Sequence, residues 1–173
     1  RSFSWATLTI TSDIFHTGAS CLITSDRLGF WAGPTQGFDL MAGTQYYVSA
    51  WVRMDPQAPV NLVILCLNDS LGNNLTAWDM SATVSGEEWV RIEGLFTPTM
   101  DYPGAFMSFL TYQMGDGYIA STDSFLLDDV FMTYEGYTAP TPTPEPTPTP
   151  EPTVEPTPEP TAEPTVEPTP EPT

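Results

Sequence analysis

Gly43-Thr44-Gln45-Tyr46-Tyr47-Val48-Ser49-Ala50-Trp51-Val52-Arg53 is the stretch whose reading decides the fold. With a period of two, Tyr46, Val48, Ala50 and Val52 share one face, and Tyr47, Ser49, Trp51 and Arg53 share the other. Such alternation, rich in aromatic and β-branched residues, predicts a strand with one face on a core. Downstream, Asp55-Pro56-Gln57-Ala58-Pro59 reads as a turn, and Val60–Leu67 is apolar nearly throughout, as a strand covered on both faces would be.

The pattern repeats on both sides. Strands are expected at Ala6–Ile10, at Ala19–Thr24 after a His16-Thr17-Gly18 turn, and at Phe38–Met41. Beyond the Asn68–Asn74 turn they are expected near Leu75–Val84, Trp89–Phe96, Ala105–Gln113 and Ser124–Tyr134. No segment carries sustained helical periodicity. About nine strands at this spacing predict an all-β fold, an antiparallel β-sandwich or jelly roll.

That domain occupies residues 1–138, and 139–173 are of another kind. Of 19 prolines, 14 fall between Pro140 and Pro172, alternating with Thr and interrupted by seven glutamates. With nothing to bury, this segment is expected to be a disordered Pro/Thr/Glu-rich linker biased toward polyproline II, with a reach of roughly 100 Å. The opening Arg1-Ser2-Phe3-Ser4-Trp5 has no starting Met, so an internal piece of a longer chain with a truncated first strand is expected.

The chain carries a formal net charge of −18, with four arginines and no lysine. This argues against nucleic acid or an anionic membrane surface as partner, but not against a neutral polymer. No run reaches the roughly 18 apolar residues that a spanning helix needs. Cys21 and Cys66 sit in strand-like runs, and the sequence leaves open whether they pair or stay as buried thiols. Glu87, Glu88 and Glu93 read as solvated charges rather than a glycosidase pair, and the single histidine, His16, gives no support to a Ser-His-Asp arrangement. The domain is therefore expected not to be an enzyme.

Several segments, taken in order, resemble the carbohydrate-binding modules of families 4, 9 and 22. They are His16–Arg27, Trp31-Ala32-Gly33-Pro34 with Phe38-Asp39-Leu40, Gly43–Arg53, Glu88–Thr97 and Phe125-Leu126-Leu127-Asp128-Asp129-Val130. The Arg27 and Trp31-Ala32-Gly33-Pro34 segment is most similar to family 22, whose members bind xylan or β-glucan within secreted bacterial xylanases. The resemblance implies a glycan groove on a concave sheet face. A sugar chain needs aromatic platforms for its C–H faces and planar polar groups for its hydroxyls.

On that basis the expected carbohydrate-binding residues are Trp31, Arg27, Trp78, Phe109 and Gln113. Arg27 could equally pair with a carboxylate. Gln113 stands where the family has a glutamate, and strand parity admits only one of Gln113 and Tyr112 to the groove. Trp51 and Trp89 read as structural. The family's structural calcium would fall to Asp128; no cofactor is otherwise required. The expected function is a non-catalytic, monomeric, secreted module that targets a linked hydrolase, such as an endo-xylanase, to xylan or β-glucan. The competing expectation is a structural or adhesive sandwich of a bacterial cell-surface protein, with the tail as a stalk.

Overall fold

The computed structural model describes residues 5–115 and 117–134. The linker expected at 139–173 lies outside the described residues. Ten strands follow in order: β1 (Thr7–Thr11), β2 (Cys21–Ser25), β3 (Gln36–Leu40), β4 (Tyr46–Met54), β5 (Asn61–Asn68), β6 (Ser81–Val84), β7 (Val90–Phe96), β8 (Tyr102–Met114), β9 (Tyr118–Ala120) and β10 (Phe125–Tyr134). There is no helix among the described residues. One sheet has the order β1-β2-β10-β4-β7, and the second β3-β8-β5-β6 with β9 on β8. Every strand pair is antiparallel, so the expected sandwich is the observed fold.

The opening stretch behaves as its alternation dictates. Val48, Ala50, Val52 and Met54 of β4 are fully buried between the sheets, facing Val63, Leu65 and Leu67 of β5 and Met107 and Phe109 of β8. All eight residues of β5 are buried, which accounts for its unbroken apolar run. Its odd positions meet the opposing sheet, while Leu62, Ile64 and Cys66 pack on the other face beneath Leu110 and Tyr112.

Two strands differ from expectation. The Leu75–Val84 run is a strand only from Ser81. Before that it forms a loop that stays beside β5, with Leu75 N–H donating to Leu67 O and Met80 O accepting from Leu65 N–H. Met80 then drops into the core against Gly94 of β7, where a Cβ on residue 94 would lie 2.4 Å from the Met80 Cγ. The other difference is β9, three residues whose pairing with β8 returns the chain across Tyr112–Met114.

Cys21 and Cys66 are both free and buried. Burial pushes the Cys66 thiol up to about 12, so it is an inert thiol on the second sheet.

Candidate functional site

The outer face of the second sheet gathers the polar and aromatic groups of interest. Its β5–β8 register sets Leu62 opposite Tyr112, Ile64 opposite Leu110, Cys66 opposite Ser108 and Asn68 opposite Phe106. Asn68 Nδ2 donates to Ser108 Oγ at 2.9 Å. Two loops flank this surface. The loop 26–35 is tied to β8 by Thr111 N–H donating to Phe30 O (3.1 Å), and the loop 69–80 is tied to β5 as described above.

Tyr112 is the centre of an aromatic cluster. Trp78 stacks on it, with centroids 5.3 Å apart and planes 28° apart. Phe30 leans on it at 5.1 Å and 40°. Tyr118, delivered by β9, stands edge-on to Trp78 at 5.4 Å and 79° and to Tyr112 at 6.5 Å and 75°. Trp78 is 44% exposed and Tyr118 56%, whereas Leu62, Ile64 and Cys66 beneath are buried. The result is an apolar floor carrying half-open rings, beside hydroxyl and amide groups. Aromatic faces at this exposure can receive the C–H face of a sugar, while Asn68 and Ser108 are buried and bonded to each other, so they brace the floor.

The expected site residues do not all meet here. Trp78 is within the cluster. Trp31 is exposed on the flanking loop, its indole lying over Gly29, so it neighbours the cluster through Phe30 without stacking in it. Arg27 is a correction: it is buried, at 4% exposure, and has no face toward a ligand. Its Nε donates to Ala32 O, one terminal nitrogen to Phe30 O, and the other to Thr111 Oγ1 and Asp123 O, all within 2.8 Å. The guanidinium also lies 4.8 Å from the centre of the Phe125 ring. Burial lowers its pKa to about 10, with Asp123 opposing, so it remains a cation at neutral pH. Its role is to fasten the loop that carries Phe30 and Trp31.

Phe109 and Gln113 are corrections of one kind. They share a face of β8, as expected, but it is the inner one. Phe109 is a core side chain at 3% exposure, packed against Phe125. Gln113 Nε2 donates to Asp123 Oδ2, which also accepts from Asn61 Nδ2 and Ser121 Oγ. Burial of Asp123 works against its ionisation, but these three donors and the charge of Arg27 outweigh it and hold its pKa below the ordinary carboxylate value. Parity therefore gives the outer face to Tyr112. Tyr112 is the parity alternative to Gln113 that the sequence left open, whereas Tyr118 and Phe30 escape the sequence reading.

Asp128, to which the resemblance assigns a calcium, is engaged by main-chain donors. Its Oδ2 accepts the N–H groups of His16 (2.8 Å) and Thr17 (3.2 Å), and its Oδ1 accepts that of Asp129 (2.7 Å). Both oxygens face fixed main-chain N–H groups, whose positive ends neutralise part of the carboxylate charge that a hard cation would seek. Among the described residues, no group of three or more His, Cys, Asp or Glu side chains is placed to hold a metal.

Comparison with known proteins agrees with this architecture. Residues 3–122 match the family model described as "Carbohydrate binding domain". Among solved structures, the C-terminal family 22 carbohydrate-binding module of Clostridium thermocellum Xyn10B superposes with a TM-score of 0.65 at 16% identity, over 78% of this chain and 85% of that one. The CBM22-2 xylan-binding domain of Paenibacillus barcinonensis Xyn10C gives 0.63 at 25% identity, over 77% and 89%. The CBM22-1–GH10 modules of Clostridium thermocellum Xyn10B, solved with xylohexaose, give 0.60 at 21% identity, over 77% of this chain and 25% of that one. No curated protein matches the sequence. With the sandwich, the aromatic outer face and a family match over most of its length, the chain belongs to the carbohydrate-binding modules of the 4/9/22 type, closest to family 22.

Proposed function

We propose that the module binds a neutral β-linked polysaccharide, xylan or β-glucan, on the outer face of the second sheet. In this reading it holds a covalently linked glycoside hydrolase, such as an endo-xylanase, against plant cell-wall substrate outside the cell. The observation that carries the reading is the stacked Trp78–Tyr112 pair with Tyr118 upright beside it. The rings stay half exposed on a face whose aliphatic floor is buried. The net charge of −18 leaves a neutral sugar chain as a compatible partner. One matched domain is xylan-binding, and another was solved with xylohexaose as part of joined CBM22-1–GH10 modules; these support the same ligand and the same linkage.

The module itself does no chemistry in this reading. Tethering raises the local concentration of the hydrolase at the polymer, which is an effective-concentration gain. Affinity electrophoresis in gels containing xylan, mixed-linked β-glucan or soluble cellulose derivative tests it. The chain is expected to be retarded by at least one of these, and Trp78→Ala to migrate freely. Unretarded migration of the parent chain in all three would overturn the proposal.

A further inference from the structure

The corner where β10 bulges is held by hydrogen bonds from the loop that joins β1 to β2. Register shifts between Asp128 and Phe131, and Asp129 adopts a left-handed φ of 45°. An Asp tolerates that conformation better than most residues, at some cost in strain. The bulge turns two successive carboxylates toward the loop that joins β1 to β2. Asp128 takes the backbone N–H groups of His16 and Thr17 on one oxygen, and that of Asp129 on the other. Asp129 takes the Thr17 hydroxyl at 2.7 Å on one oxygen and His16 Nδ1 at 2.8 Å on the other. An ionised carboxylate can only accept, so Nδ1 carries a proton. The His16 ring then lies on Trp51 of β4, 3.8 Å between centroids and 20° between planes, with Trp89 at its edge.

We propose that this corner is a metal-free latch: the two carboxylates and His16 do the work that the resemblance assigns to calcium, tying the β1–β2 loop to β10. Every carboxylate oxygen has at least one donor from the loop or the bulge. The donors on Asp128 are all main-chain N–H groups, fixed with their positive ends toward the carboxylate, which stabilise its charge without a cation. The imidazole, stacked on Trp51 and bonded through Nδ1 to Asp129, fixes the second carboxylate against β4. The inference stands independently of what the outer face of the second sheet binds.

Thermal unfolding of the whole chain in EDTA and in millimolar calcium tests it. A native-state calcium site at a hundredfold its Kd would raise Tm by roughly 8 °C. The latch predicts the same Tm in both buffers. Asp128→Asn is the informative variant, because either orientation of the amide sets its NH2 against a backbone N–H. Its Tm is expected to fall by about 5–10 °C, equally in EDTA and in calcium. Should that variant not fold, Thr17→Val removes one donor and is expected to lower Tm by a few degrees in both buffers. A rise of Tm with calcium in the parent chain would overturn the proposal. So would a variant whose loss appears only when calcium is present, or variants that lose nothing in either buffer.

Discussion

Tyr118 stands edge-on to Trp78, at 79° and 5.4 Å, although the two residues lie on opposite sides of strand β8 in sequence. A three-residue strand brings them together: β9 folds back on β8 and sets Tyr118 opposite Met114. Trp78, which belongs to an irregular loop after Ala77 in a left-handed conformation, thereby has a lateral support. A ring held from below by Tyr112 and from the side by Tyr118 loses little further freedom when a ligand stacks on it.

Removing either ring should therefore weaken glycan binding by different amounts. Trp78→Ala removes the platform itself, and affinity for whichever polysaccharide retards the parent chain is expected to drop tenfold or more. Tyr118→Ala leaves the platform and removes its support, for an expected drop of roughly threefold to tenfold. Isothermal titration with a soluble oligosaccharide of that polysaccharide measures both. Equal losses for the two variants would argue that Tyr118 touches the sugar directly.

Arg27 was legible as important and illegible as to role. The resemblance pointed it at the ligand, with a carboxylate as the equal alternative, whereas its three nitrogens in fact reach four acceptors on the inner side of the loop. Arg27→Lys keeps the charge but cannot span those acceptors from a single nitrogen. The variant is expected to lose about 2–4 kcal/mol in urea unfolding. Glycan affinity should fall less, and only through loosening of the Phe30–Trp31 loop.

The division between what the sequence yields and what it withholds follows from burial. β4 alternates because only one of its faces is wholly buried; the other is half-covered except at buried Ser49, and the assignment of Val48, Ala50 and Val52 to the core face was correct. β8 does not alternate: Phe109 is core and Leu110 and Tyr112 carry the outer face, so both parities are apolar or aromatic. Which parity met the opposing sheet depended on loops 26–35 and 69–80, and their paths are set by tertiary hydrogen bonds such as that from Thr111 N–H to Phe30 O. The same holds for Asp128, whose partners lie more than a hundred residues away along the chain.

Asp123 is expected to contribute to the loss of stability in acid. Asn61, Gln113 and Ser121 donate to its Oδ2, and its folded pKa is depressed. A depressed carboxylate contributes stability that is fully present above its unfolded pKa of about 3.9 and is lost as pH falls through the folded value. Stability measured by urea unfolding is therefore expected to be flat with respect to this group at neutral pH and to decline from just above pH ~4 downward. Asp123→Asn should be less stable at neutral pH and should show a shallower decline in acid. An unaltered acid slope in that variant would assign the decline to other carboxylates.

Gly94 is the position where the two sheets allow no Cβ. Met80 leaves its loop beside β5 and enters the core with its Cγ 2.4 Å and its Sδ 2.8 Å from where that atom would stand. Met80 is itself 2% exposed among packed neighbours, so it has little room to retreat. Gly94→Ala is accordingly expected to destabilise the domain by about 1–3 kcal/mol, despite the better strand propensity of alanine. Shortening the obstructing side chain should relieve the clash: Met80→Ala leaves a cavity and costs about 2–5 kcal/mol alone. The double variant should then cost less than the sum of the two by at least about 1 kcal/mol. Additive losses in that double-mutant cycle, read by urea unfolding, would mean that strand β7 shifts away from Met80 instead, and the Gly94–Met80 contact would not be what holds loop 69–80 to the core.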